Sequence, residues 1–148
     1  MSKPEFVYVT YIDAAVEKVF SALTDPEMTR DYWGRARNVS DWQPGSRWEH
    51  QHYDDASDVV VAGKVLECDP PRKLVVTWGK PQGGSESRVT YLLEEVSGVV
   101  RLSVTHDQLD DPETAKRVAQ GWPATLSSLK SLLETGNALP MTRQRWTR

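Results

Sequence analysis

Three histidines, His50, His52 and His106, and one cysteine, Cys68, are the side chains of this 148-residue chain best suited to proton transfer or metal ligation. Imidazole titrates near neutrality, so each histidine is a candidate general acid or base, with Glu49 or Asp107 adjacent in sequence to tune it. The pattern supplies no more than candidates, because neither carboxylate is placed by the sequence on the same side as an imidazole. There is no Gly-x-Ser-x-Gly turn, no phosphate-binding glycine loop and no dinucleotide fingerprint. Cys68 precedes Asp-Pro-Pro at a strand end without a recognisable base partner, and reads as a structural thiol. His50 and His52 alternate on one strand face and His106 could approach from another strand, and three imidazoles would suit zinc. The His-Glu-x-x-His helix pattern and any cysteine pair are missing, however, so neither a metal nor a cofactor is expected and no catalytic residue is assigned.

The same histidines sit among aromatic residues at strand spacing, which points to a binding surface. Trp48, His50 and His52 share one face of their strand, Leu74, Val76 and Trp78 share a face of another, and Tyr91 and His106 join from a later pair. Ligand pockets are mostly apolar with a few polar groups that fix orientation, and inward faces of this kind would supply such a wall. The expected ligand-binding set is Trp48, His50, His52, Trp78, Tyr91, His106, Trp122 and Leu126. The competing reading is that several of these aromatics merely fill a dry core.

The elements that must position them follow from periodicity. Phe6 to Ile12 is rich in Val, Tyr and Ile and reads as a first strand, with Asp13 placed to cap a short helix carrying Val16, Val19, Phe20 and Leu23 on one stripe. Thr-Asp-Pro-Glu at residues 24–27 opens a second short helix, with Thr24 as the cap and Glu27 reaching back to it. From residue 38 strand period takes over, giving candidate strands at about 38–42, 46–53, 59–67, 73–79, 86–95 and 99–106, separated by Gly, Pro and Asp turns. Val118, Trp122, Leu126, Leu129 and Leu133 then recur on one face of a long helix, which must cover the sheet. Within it Gly121 and Pro123 predict a kink or restart, because Pro123 has no amide for the carbonyl four residues earlier. The order is strand, two short helices, six strands, long helix: an α+β fold.

Composition excludes several classes. A chain of 148 residues is one ordinary domain, and no apolar run approaches the length of a membrane span. Neither membrane insertion nor a secretory leader is expected, and a single cysteine excludes an intramolecular disulfide framework, so a reducing cytoplasm is the expected home. Net charge is −3. Arg143, Arg145 and Arg148 fall in a C-terminal stretch without acids, which leaves the body more acidic still and argues against a nucleic-acid groove. The domain is expected to span residues 1–136, with 137–148 a flexible tail.

The runs YIDAAVEKVFSALTDPEMTRDYW, SDWQPGSRW, GKVLECDPPRKLVVTW, SRVTYLLE, RLSVTHDQL and GWPATLSSLKSLLETG together resemble bacterial proteins similar to the C-terminal domain of the heat-shock-protein-90 ATPase activator. The likeness extends over roughly residues 6 to 136. It implies membership of the START-like, Bet v 1-like superfamily and its helix-grip fold, a curved antiparallel sheet wrapped around a long C-terminal helix with a cavity between them. Members of that superfamily bind lipids, sterols, flavonoids and polyketides, and some cyclise polyketides. The expectation is therefore a protein that binds or sequesters a small hydrophobic, aromatic or polyketide-like molecule, as a monomer or weak homodimer. An enzyme using His50, His52 or His106 on such a ligand, and a chaperone-related interaction module, are the alternatives; the family name is not evidence of activity.

Overall fold

Residues 3–145 are described by the computed structural model. Strand β1 (Phe6–Ile12) leads into helices α1 (Val16–Thr24) and α2 (Pro26–Tyr32). Six strands follow: β2 (Ala36–Ser40), β3 (Arg47–His52), β4 (Asp55–Asp69), β5 (Lys73–Trp78), β6 (Ser87–Val96) and β7 (Val99–Asp107). The long helix α3 (Pro112–Thr135) comes next, and a 3-10 turn at Pro140–Thr142 is the last described element. The seven strands form one antiparallel sheet in the order β1-β7-β6-β5-β4-β3-β2, so β2 to β7 are a simple meander and β1 returns to the edge beside β7. The sheet curls over α3 in the expected helix-grip arrangement.

Alternation decides which face meets the helix. Along β7, Val100, Leu102, Val104 and His106 are buried and their neighbours are not, and β6 follows suit with Val89, Tyr91 and Leu93. The β6–β7 hairpin closes through Ser97 and Gly98, both at positive φ, the backbone that a two-residue turn between right-twisted strands requires. On α3, Trp122, Leu126 and Leu129 are buried against these strands, and Val19, Phe20 and Leu23 of α1 join the same core. Gly63 of β4 faces Trp48 across the sheet. A Cβ there would lie 2.1 Å from the carbonyl oxygen of Thr77, and that oxygen accepts the Trp48 indole N–H at 2.7 Å.

Four local expectations are corrected. The N-cap position of the first helix is Ala15 rather than Asp13 and carries no side-chain cap; the Asp13 amide donates to Glu134 of α3 at 2.8 Å. The second is capped by Asp25 and not Thr24. Pro26 forces the residue before it into an extended conformation, and Asp25 Oδ1 accepts the Glu27 amide at 2.9 Å while the Thr24 hydroxyl turns back to Phe20 O. Helix α3 does not restart at Pro123 but runs unbroken from Pro112 to Thr135. The carbonyl that loses its partner belongs to Ala119, which is exposed and can be served by solvent. Strand β4 extends further toward its N-terminus than the pattern suggested.

The segment after Gly136, expected to be flexible, packs onto the body as far as Arg145. Ala138 and Thr142 are buried; Ser128 of α3 pairs with the Thr142 hydroxyl and accepts the Leu139 amide at 3.0 Å. The Gly34 amide donates to Thr142 O at 2.8 Å, and Arg145 reaches Asp58 at 3.1 Å. Polar side chains at Ser128 and Thr142 do here what apolar periodicity does elsewhere, so a reading by hydrophobic pattern passes over them. The last residues of that segment, Arg148 among them, lie outside the described residues.

Candidate functional site

Between the sheet and the N-terminal half of α3 lies a cavity of about 640 Å³. Helix α3 gives it one face: Thr114, Arg117, Val118, Gly121, Trp122 and Thr125 recur at helical spacing and all line it. This stretch continues the apolar stripe of Leu126 and Leu129 toward the helix N-terminus, but with small and polar residues, so the helix stops filling the space and bounds it instead.

The floor is aromatic. Trp33, at the end of α2, Trp78, at the end of β5, and Trp122 pack against one another with ring centroids 5.4 to 6.3 Å apart. The His50 ring joins them, 5.1 Å from Trp33. Trp33 and Trp122 line the cavity while almost wholly buried, at 5% and 4% exposure. Stacked and tilted contacts of this kind, backed by edge-to-face contacts of Tyr91 and His106 with Trp122, hold the rings rigidly.

Two polar chains pass behind this floor. The Trp122 indole N–H donates to His106 Nδ1 at 3.1 Å. Indole has only a donor, so Nδ1 is the acceptor and the neutral ring carries its proton on Nε2. That proton goes to Ser87 Oγ at 2.7 Å, and Ser87 in turn donates to the Trp78 carbonyl at 3.1 Å. Burial of His106 pushes its pKa down to about 4, with the Asp107 charge acting weakly in the opposite sense. The Ser87–His106 pair therefore has the wrong polarity for nucleophilic catalysis: the imidazole donates to the hydroxyl and has no lone pair facing it. On the other side Asn38 Nδ2 donates to Leu23 O at 3.3 Å, which turns Asn38 Oδ1 toward His50 Nδ1 at 2.6 Å. His50 thus carries a proton on Nδ1.

The eight residues expected at the site divide into two groups. His50, His52, Trp78 and Trp122 line the cavity. Trp48, Tyr91, His106 and Leu126 are buried behind it, at 2%, 3%, 0% and 1% exposure, and act on it only through the side chains they support. Tyr91 meets Trp122 edge to face at 5.9 Å, and Trp48 meets Trp78 at 5.4 Å. The three imidazoles take separate partners, His52 Nε2 lying 3.5 Å from Asp58, and among the described residues no three His, Cys, Asp or Glu side chains are grouped to hold a metal ion. Register shifts between β3 and β4 at His50, Gln51 and His52 separate His50 and His52 from strict alternation, leaving Gln51 buried beside them.

Sequence reasoning missed Trp33, Lys80, Ser87, Arg117 and Thr125. Trp33 sits in an irregular connection, where no period assigns a face. Arg117 and Thr125 had a usable signal, because with Gly121 they extend the α3 stripe in four-residue steps.

The mouth is polar. Lys80 and Ser85 of the β5–β6 connection face it, together with Asp110 and Asp111, which lead into α3, and Arg117. Asp110 is held low in pKa by the Ser85 hydroxyl and by Lys3, 3.0 Å away; Asp111 caps α3, accepting the Thr114 amide at 2.7 Å.

Known proteins agree with this architecture. The crystal structure of CalU16 from Micromonospora echinospora superposes with a TM-score of 0.75 at 26% identity, covering 94% of this chain and 80% of that one. The solution structure of the protein encoded by gene BPP1335 from Bordetella parapertussis gives 0.74 at 28% identity, covering 96% and 80%. The Aha1 dimer from Colwellia psychrerythraea gives 0.72 at 20% identity, covering 90% and 98%, a likeness of fold. No curated protein sequence matches the chain. The family described as activator of Hsp90 ATPase homolog 1-like protein matches residues 13–134, which takes in α1, α2, β2 to β7 and nearly all of α3. With that span matched and the sheet gripping its helix as described, the chain belongs to the activator of Hsp90 ATPase homolog 1-like family.

Proposed function

We propose that this protein binds a small, flat, hydrophobic molecule of aromatic or polyketide-like type in the cavity between sheet and α3. The observation that carries the reading is the floor of Trp33, Trp78 and Trp122 under about 640 Å³ of space, a volume within the usual range for small-molecule sites. Rigid indoles held by their neighbours offer stacking area with little ordering cost on binding. Polar groups beside the floor are oriented, His50 by Asn38 and Ser87 by His106, and Thr125 of α3 also lines the space. The direction of the Trp122–His106–Ser87 chain favours binding over chemistry, because it fixes the floor and leaves His106 without a proton-accepting role.

The test is a thermal-shift screen of flavonoids, aromatic polyketides, fatty acids and sterols, followed by titration of tryptophan fluorescence. A ligand that binds only the folded protein raises its melting temperature, by an amount set by about RT ln(1 + [L]/Kd). Val118→Phe, which adds a ring to a cavity-lining position, is the matching variant. Saturable quenching in the parent, lost in a Val118→Phe protein of unchanged melting temperature, is the expected result. Unchanged affinity in that variant would move the ligand elsewhere.

A further inference from the structure

We propose that the ligand is a carboxylate-bearing aromatic molecule, with its ring system on the Trp33–Trp78–Trp122 floor and its carboxylate at the mouth, where Lys80 and Arg117 receive it. This rests on the binding function proposed above and narrows it to one chemical class.

The mouth contains charges of both signs, and what separates them is commitment. Asp110 is engaged by Lys3 and Ser85, and both oxygens of Asp111 are used by Thr114, by the amide at 2.7 Å and the hydroxyl at 3.0 Å. The cations are not engaged in this way. Lys80 and Arg117 are exposed, line the cavity from different elements, and form no ion pair with a carboxylate among the described residues. Arg117 makes one long hydrogen bond, to Thr114 Oγ1 at 3.4 Å, and its charge acts on Asp111 from a distance without an ion pair, so its guanidinium donors remain available. A ligand anion would meet two available donors; a ligand cation would meet carboxylates already spoken for.

The indoles themselves raise the opposite possibility, since π faces attract ammonium groups. A cage for a cation needs walls that stand apart around it. Here the rings touch, with centroids no more than 6.3 Å apart and planes inclined at 23° to 59°, so they leave no gap between them for an ammonium group and offer ring faces and edges on which an aromatic ligand can pack. Depth matters too: the charged groups are at the mouth and the aromatic groups at the base. The matching ligand is amphiphilic in the same order, an apolar ring system inside and an acid outside.

Isothermal titration calorimetry with three probes of one shape tests this: 2-anthracenecarboxylate, its neutral carboxamide, and 2-(aminomethyl)anthracene in its protonated form. The expected order is acid, then amide, then amine, with the acid about five- to tenfold tighter than the amide, the gain that two solvent-exposed ion pairs supply. In Lys80→Gln/Arg117→Gln, whose exposed positions leave the melting temperature in place, the acid's preference over the amide falls to within about twofold. In the parent it also shrinks between low and high salt, as exposed charges are screened. Equal binding of all three probes, or a preference for the amine, overturns the acid assignment while leaving an aromatic-binding cavity standing. Binding of none overturns both.

Discussion

Lowering the pH from 7 to 5 tests the internal logic of the site most directly, because His106 is buried between two partners that define its protonation. Its pKa is pushed down to about 4 by desolvation, against about 6.5 for an unperturbed imidazole. As pH falls, the unfolded chain therefore takes up a proton at this residue before the folded protein does. Stability from His106 is complete above about pH 6.5 and is lost as pH falls toward 4; the sign is fixed by the lowered folded value. The two pKa values give a loss of about 2 kcal/mol by pH 5 and about 3 kcal/mol below pH 4. Urea denaturation at pH 7, 6 and 5 measures the loss, and stays above the range where the lowered carboxylates Asp107 and Glu49 contribute strongly. His106→Gln should flatten the slope. Nitrogen-15 correlation spectra of the ring supply a second readout that does not depend on a variant folding: a neutral imidazole from pH 5.5 to 8, protonated at Nε2. A midpoint near 6.5, or a proton on Nδ1, would refute the Trp122–His106–Ser87 direction and return His106 to the list of possible bases.

Two further predictions concern how the site is held. Gly63→Ala puts a methyl group 2.1 Å from the Thr77 carbonyl oxygen, so β4 and β5 must separate and the Trp48 indole loses its acceptor; a cost of about 2–3 kcal/mol in chemical denaturation is expected, and a neutral effect would show that this crossing is not tight. Thr142→Val leaves Ser128 in a buried position without its hydroxyl partner and should cost about 1–3 kcal/mol, accompanied by faster proteolysis after Gly136; a change below 0.5 kcal/mol, on the order of an ordinary surface substitution, would mean the segment is only loosely docked.

How much of this was legible beforehand depended on the kind of interaction. Wherever burial follows a simple period, the reading from residues and the structure agree: Leu102, Val104 and His106 inward on β7, Val89, Tyr91 and Leu93 inward on β6, Trp122, Leu126 and Leu129 inward on α3. The cap of α2 was missed by one residue because Pro26 set the backbone of Asp25, while the N-cap position of α1 falls two residues after Asp13, at Ala15, which makes no side-chain cap. The docking of residues 137–145 was invisible for a related reason, since it is built from polar groups whose partners lie on the α2–β2 connection, α3 and β4.

The chain's own pattern determined the order of elements and the inward faces, because alternation and helical periodicity are properties of neighbours in sequence, and the family followed from the resemblance of its motifs to known proteins. Only tertiary structure decided which inward residues meet a ligand-sized space and which lie behind it. His50 and His106 both face inward and both are bonded through a ring nitrogen, yet one lines the cavity while the other is sealed behind Trp78 and Trp122. That difference comes from how far the sheet curls before α3 meets it, and from Trp33 arriving out of an irregular connection to complete the floor. A period fixes the direction of a side chain, but the depth of packing beyond it belongs to the whole fold.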